Sequence, residues 1–187
     1  MSANLPSPLL EAKAVAKHFG GVKALRDVSL TIRHGEIYGL IGPNGAGKTT
    51  FFNLIAGTHA PSSGQIIVKG EDVTGMRADQ IARLGVARTF QLVKVLGSMS
   101  CSDNVIAGMA FKPRPLFGKP AAARALQLLN QVGLAEFANT PAGDLTYINQ
   151  KRLELARALA LEPQILLLDE WLAGLNPTEL QQGIALR

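Results

Sequence analysis

The chain has 187 residues, 47% of them hydrophobic, which is enough for one sizeable core with room for a sub-lobe. Its 19 Lys and Arg against 14 Asp and Glu leave a formal charge of +5, but the basic residues are scattered among only seven Phe, two Tyr and one Trp, a solvated surface rather than a nucleic-acid face. The single cysteine, Cys101, excludes an internal disulfide framework and a multi-cysteine metal site, and is expected to be a small buried hydrophobe.

The opening "MSANLPSPLL" has no basic segment followed by an apolar stretch, so no secretory signal is expected. No apolar run approaches the ~20 residues of a membrane-spanning helix, and a soluble, cytoplasmic chain is the expectation. "LLEAKAVAKHFG" and "LRDVSLTIRHG" alternate with a period of two, placing Val28, Leu30 and Ile32 on one strand face. "GEIYGLIG" reads as a further short strand between glycines. "KTTFFNLIAG" turns helical and stops at Gly57, and "SSGQIIVKG" returns to a strand, an order that predicts a parallel α/β core.

From about Ser100 to Asn139 the character changes. The basic, proline-rich loop "FKPRPLFGKP" leads into the helical "AAARALQLLNQVGL", read as an inserted helical sub-lobe. "QKRLELARALALEP" places Leu153, Ala156, Leu159 and Ala160 on one helical face ended by Pro163, and "QILLLDE" reads as a fully buried strand. His18, His34 and His59 read as surface or turn residues.

Gly42 to Thr49, "GPNGAGKT", matches G-x-x-x-x-G-K-[ST] after an apolar strand and before a helix, the context such a phosphate loop needs. Gly42, Gly45 and Gly47 let backbone N–H groups and the positive end of the next helix approach an anion, and an ordinary glycine-rich turn is the weaker alternative. Lys48 is expected on the outer phosphates and Thr49 on Mg²⁺. Asn44, Ala46 and Thr50 complete the expected nucleotide-binding loop. Asp169 at the end of "ILLLD" would hold the metal, and Glu170 would orient or deprotonate an attacking water. Together these point to nucleoside-triphosphate hydrolysis.

The stretch from "AKAVAKHFGG" to "KGEDVTG" resembles the start of an ATP-binding-cassette ATPase subunit, and "IARLGVARTFQ" resembles the branched-chain amino-acid importer branch of that family. The resemblance implies a P-loop NTPase (RecA-like) core, about 1–91 and 151–187, with an N-terminal antiparallel β lobe and an inserted α-helical subdomain over about 92–150. It implies ATP and Mg²⁺ as ligands, with Phe19 stacking on adenine, although a strand-end core position for Phe19 stays open. It places Gln91 at Mg²⁺ and the γ-phosphate. "GLNP", Gly174 to Pro177, would join two domains in a head-to-tail dimer, homo- or heteromeric. The implied function is ATP hydrolysis that energises an importer of branched-chain amino acids. The implied permease contact is the region Gln91–Lys119, on the inner face of the plasma membrane.

Two departures stand out. The family signature L-S-x-G-Q corresponds here to "LTYINQ", Leu145, Thr146, Tyr147, Ile148, Asn149 and Gln150, ahead of a helix expected to begin near Lys151. Thr146 keeps the hydroxyl. Ile148 replaces a glycine, which predicts a crowded backbone, costly positive φ and poor capping of a partner's ATP, while Trp171 stands where proline is usual.

The resemblance also implies a helix, a strand and a γ-phosphate histidine beyond "GLNP", which do not occur before Arg187. The corresponding expectation is a truncated cassette, marginally stable alone and slow in hydrolysis. The alternatives are a binding-only regulatory module and a soluble cassette of repair or translation.

Overall fold

A computed structural model describes residues 7–89, 92–110, 112 and 114–169. They form two compact units that divide after Leu84.

The first unit is built on a four-stranded antiparallel sheet in the order β2-β1-β3-β4, from β1 (Leu10–Phe19), β2 (Val22–Ile32), β3 (Ser63–Val68) and β4 (Glu71–Asp72). Leu10 pairs with Ile32 on one side and Val68 on the other, and Ala12 with Leu30 and Ile66. The simple alternation breaks at Ala14, which has φ 50° and lies at a register shift. Its N–H donates to Ser29 Oγ at 2.9 Å. The extra residue moves the inward position from Ala14 to Val15, so Leu10, Ala12 and Val15 are buried. On β2, Val28, Leu30 and Ile32 are half-buried between exposed Ser29 and Thr31, as the period-two pattern predicts.

Helix α1 (Lys48–Ile55) buries Phe51, Leu54 and Ile55 and is closed by Gly57 at φ 70°. A short α2 (Ala78–Arg83) buries Ile81.

One expected strand does not form. Residues 36–42 carry no ladder pairing among the described residues, and Ile37 and Ile41 are fully exposed. An apolar run between glycines supplies strand propensity, but a strand exists only with a hydrogen-bonded neighbour, and that neighbour is a tertiary matter.

The second unit holds a two-stranded parallel sheet, β5 (Val86–Arg88) with β6 (Ile165–Leu167), in the register Val86↔Ile165, Ala87↔Leu166 and Arg88↔Leu167. Its helices are α3 (Cys101–Met109), α4 (Gly118–Gln131) and α5 (Tyr147–Leu159). Cys101, Val105, Met109, Leu128, Leu129 and Leu153 share one core with Ala121 and Ala125 of α4 and Ala156 of α5.

Two boundaries and the burial of one strand differ from the sequence reading. Helix α4 takes in Gly118, Lys119 and Pro120, since proline is tolerated in a first turn where N–H groups have no intrahelical acceptor. Helix α5 starts at Tyr147, not near Lys151, because Thr146 supplies a side-chain N-cap to Asn149 N. Strand β6 is not fully buried: Ile165 and Leu167 are buried, Leu166 is half-buried, and Leu168 beyond it is 43% exposed. Among the described residues β6 pairs with β5 alone. No helix among them is long and apolar enough to cross a membrane.

Candidate functional site: a phosphate loop and a strand-end carboxylate

The loop from Gly42 to Gly47 passes directly into α1. Gly45 and Gly47 adopt φ of 82° and 86°, the left-handed conformation that side chains disfavour. Gly47 is also confined by packing, because a Cβ there would lie 2.5 Å from Ala24 O and 2.7 Å from Leu25 Cδ2 on β2. The turn is therefore possible only with glycine at this point.

Helix α1 begins with no side-chain cap and no acidic residue in its first turn. The first N–H groups of any α-helix lack intrahelical acceptors and carry the positive end of its dipole. An anion is the ligand that such an uncapped, glycine-preceded helix start accepts.

Lys48 folds back over the loop, its Nζ donating to Gly42 O at 2.6 Å and Pro43 O at 3.0 Å. This pose keeps the ammonium beside the turn, where it can exchange carbonyl acceptors for phosphate oxygens. Asn44, Gly45 and Ala46 are exposed, while Thr49 and Thr50 are half-buried in the first turn of α1.

Phe19 ends β1 and is 45% exposed, which excludes the core alternative. Lys17 Nζ lies 5.0 Å over its ring centroid and His59 meets it edge-on at 5.6 Å. His18, His34 and His59 are all exposed, as the sequence predicts.

In the second unit, Asp169 follows β6 and is 2% exposed. Its Oδ2 accepts from Arg88 Nη2 at 2.8 Å, and the Arg88 side chain is itself 7% exposed. Sequence reasoning quoted Arg88 within "ARTFQ" but gave it no role, because only the parallel pairing of β5 with β6 brings residues 88 and 169 together. Gln91 and Glu170 lie outside the described residues, as do Trp171 and Gly174 to Pro177.

The chain just after Gln91 is held from two sides. Asn104, fully buried on α3, accepts from Leu96 N and donates to Leu96 O, Met99 O and Ser100 O at 2.8 to 3.3 Å. The Arg157 guanidinium on α5 donates to Lys94 O. Burial pulls the Arg157 pKa below its ordinary value, and the Glu154 carboxylate opposes that shift.

The segment resembling the signature departs from expectation in its backbone. Ile148 is helical, without positive φ, and its side chain is buried at 5% exposure. The anticipated strain therefore does not arise: the β-branched side chain turns into the core while the helix start remains. Leu145 is buried, Tyr147 is 42% exposed, and Asn149 N reaches Thr146 Oγ1 at 3.4 Å. Gln150 Nε2 donates to Leu145 O at 3.1 Å.

The Thr49 hydroxyl in the first unit and the Asp169 carboxylate in the second are each hard oxygen donors of the kind that suits Mg²⁺. No cluster of three or more His, Cys, Asp or Glu that could hold a metal ion occurs among the described residues.

A family profile described as ABC transporter matches residues 25–173, a span that includes both the phosphate loop and Asp169. The high-affinity branched-chain amino acid transport ATP-binding protein LivG of Salmonella typhimurium is 40% identical over 95% of this chain and 75% of its own length. The corresponding protein BraF of Pseudomonas aeruginosa is also 40% identical, over 92% of this chain and 72% of its own. An ATP-binding cassette of an ABC transporter solved in its ADP conformation superposes with a TM-score of 0.84 at 27% identity, covering 96% of this chain and 75% of that one. A bacterial ABC transporter cassette solved as a dimer gives 0.84 at 27% identity, with 95% and 80% covered. A glycine-bound phosphate loop entering an uncapped helix, on a backbone shared with these cassettes, leaves one assignment: the chain belongs to the ABC transporter family, as one of its ATP-binding cassettes.

Proposed function

We propose that this chain binds ATP with Mg²⁺ and hydrolyses it to ADP and phosphate, energising a membrane importer of branched-chain amino acids. The observation that carries the reading is the loop Gly42–Gly47, whose backbone conformation, packing and exit into an uncapped helix suit a polyphosphate. The solute class follows from the similarity to LivG and BraF, both named for branched-chain amino acid transport.

In this reading the N–H groups of Gly45 to Thr50 surround the β- and γ-phosphates, with Asn44 lining the same loop, and Lys48 transfers its ammonium from Gly42 O and Pro43 O to phosphate oxygens. Thr49 and Asp169 hold Mg²⁺, with Gln91 as its further contact. When bound, Mg²⁺ neutralises charge that develops on the phosphate oxygens. Glu170 orients the attacking water and takes its proton. Phe19, exposed at the end of β1, stacks on the base.

Residues of about 1–91 and 151–187 form the catalytic core, and about 92–150 the helical lobe. The second protomer of a head-to-tail dimer contributes its own nucleotide to Leu145–Gln150 of this chain, and the permease docks on the region Gln91–Lys119. Association with that permease places the chain on the inner face of the membrane.

Steady-state hydrolysis by the chain, beside Glu170→Gln and a nucleotide-binding titration, tests the reading. Turnover abolished by the substitution with binding retained supports it. Absence of nucleotide binding by the unaltered chain would overturn it.

A further inference from the structure

We propose that Arg88 is a positioning residue for metal-dependent nucleotide binding, holding the Asp169 carboxylate in its working orientation. This rests on the reading of Asp169 as the metal-side carboxylate. The pairing is built into the sheet. Arg88 stands opposite Leu167 in the parallel register, and Thr89 N donates to Leu167 O at 3.0 Å, so the two strand ends are tied where they leave the sheet.

Asp169 lies two residues beyond the end of β6 and, like Leu167, is buried, whereas Leu168 between them is exposed. The reach from residue 88 to residue 169 is closed by Nη2 to Oδ2 at 2.8 Å, with both side chains withdrawn from solvent. A carboxylate in such a place does not choose its rotamer through water, and the guanidinium is a charged, directional donor that acts on it. Partners that sit behind a metal's ligands and orient them typically change metal affinity by about 10- to 100-fold when removed.

Arginine suits the task better than lysine because its planar fork fixes a direction as well as a charge. Arg88 also lies three residues before Gln91.

The test is a Mg²⁺ titration of ATP binding by the full 187-residue chain, read by fluorescence of a labelled ATP analogue, with parallel titrations in EDTA and thermal melts. Arg88→Lys is compared with Arg88→Met. The expected result is a Mg²⁺ half-saturation raised about tenfold by Arg88→Met and less by Arg88→Lys, while affinity for the metal-free nucleotide stays within about twofold.

A lowered melting temperature with an unmoved Mg²⁺ midpoint would overturn the proposal, since that is what a purely structural pair produces. Should Arg88→Met fail to fold, the charge-preserving Arg88→Lys decides; its failure to fold would also count as a structural role and overturn the proposal. If the unaltered chain binds no nucleotide with or without Mg²⁺, the ATPase reading fails instead.

Discussion

Gly47 lies so close to Ala24 that a Cβ on the glycine would fall 2.5 Å from the Ala24 carbonyl oxygen, inside any real contact. Strand β2 therefore acts as the wall against which the phosphate loop turns. Gly47→Ala must both relieve this clash and hold φ near 86° with a side chain. We expect a loss of about 2–4 kcal/mol, measured by urea unfolding, because overpacking and left-handed strain each cost about 1–3 kcal/mol. Nucleotide affinity falls with it. A variant with unchanged unfolding midpoint would show that the loop can relax away from β2.

Lys48 tests the opposite case, a residue whose loss costs function and little stability. Its ammonium bonds only to carbonyls of the loop it covers in the contacts described here. Lys48→Met is expected to weaken ATP binding about 10- to 100-fold, the worth of a charged hydrogen-bond donor. The melting temperature should stay within about 2 °C, as for substitutions away from a packed core. Isothermal titration with a melt on the same sample checks both halves.

Asn104 is a polar residue used as a core bracket. Its carboxamide makes four hydrogen bonds to the backbone of Leu96, Met99 and Ser100. Asn104→Ala takes from Leu96 N its carboxamide acceptor, while Leu96 O, Met99 O and Ser100 O keep backbone donors, and we expect a loss of about 1–3 kcal/mol. Amide hydrogen exchange should rise over residues 94–100, downstream of Gln91. Exchange unchanged there would mean that the Arg157 contact and the backbone bonds from Ala142 N to Met99 O and Gly143 N to Gly97 O hold the segment without Asn104.

Burial raises the Cys101 thiol pKa above its ordinary value, partly offset by a backbone hydrogen bond. The folded state therefore keeps its proton at a pH where the unfolded state, with a thiol pKa of about 8.5, begins to release one. Fewer protons on the unfolded chain mean that stability from this residue is complete below about pH 8.5 and declines as pH rises through the thiol range. Cys101→Ala should flatten the alkaline end of the stability profile. Thiol labelling of the folded chain at neutral pH should proceed only on the timescale of unfolding.

Much of the site was legible in the sequence because phosphate binding is local chemistry. Eight consecutive residues, "GPNGAGKT", carry the turn, the helix start and the cation, and their backbone requirements are written in residue type alone. Helix α1, its stop at Gly57 and strands β1 to β3 were legible for the same reason, since periodicity and glycine act within a few residues of themselves. The bulge at Ala14 was not legible: it depends on a partner strand and on Ser29, fifteen residues away.

Tertiary structure decided what required two distant segments at once. It withheld a ladder from residues 36–42 despite their strand-like pattern, because no neighbour pairs with them among the described residues. It turned Ile148 inward on a helix that Thr146 begins early, removing strain that its residue type alone suggested. It also placed Arg88 against Asp169, a pair separated by eighty-one positions that no local pattern joins. Residue type determines what a backbone and a side chain can do nearby; register and burial, which arise only when the chain has closed on itself, determine which distant groups they do it with.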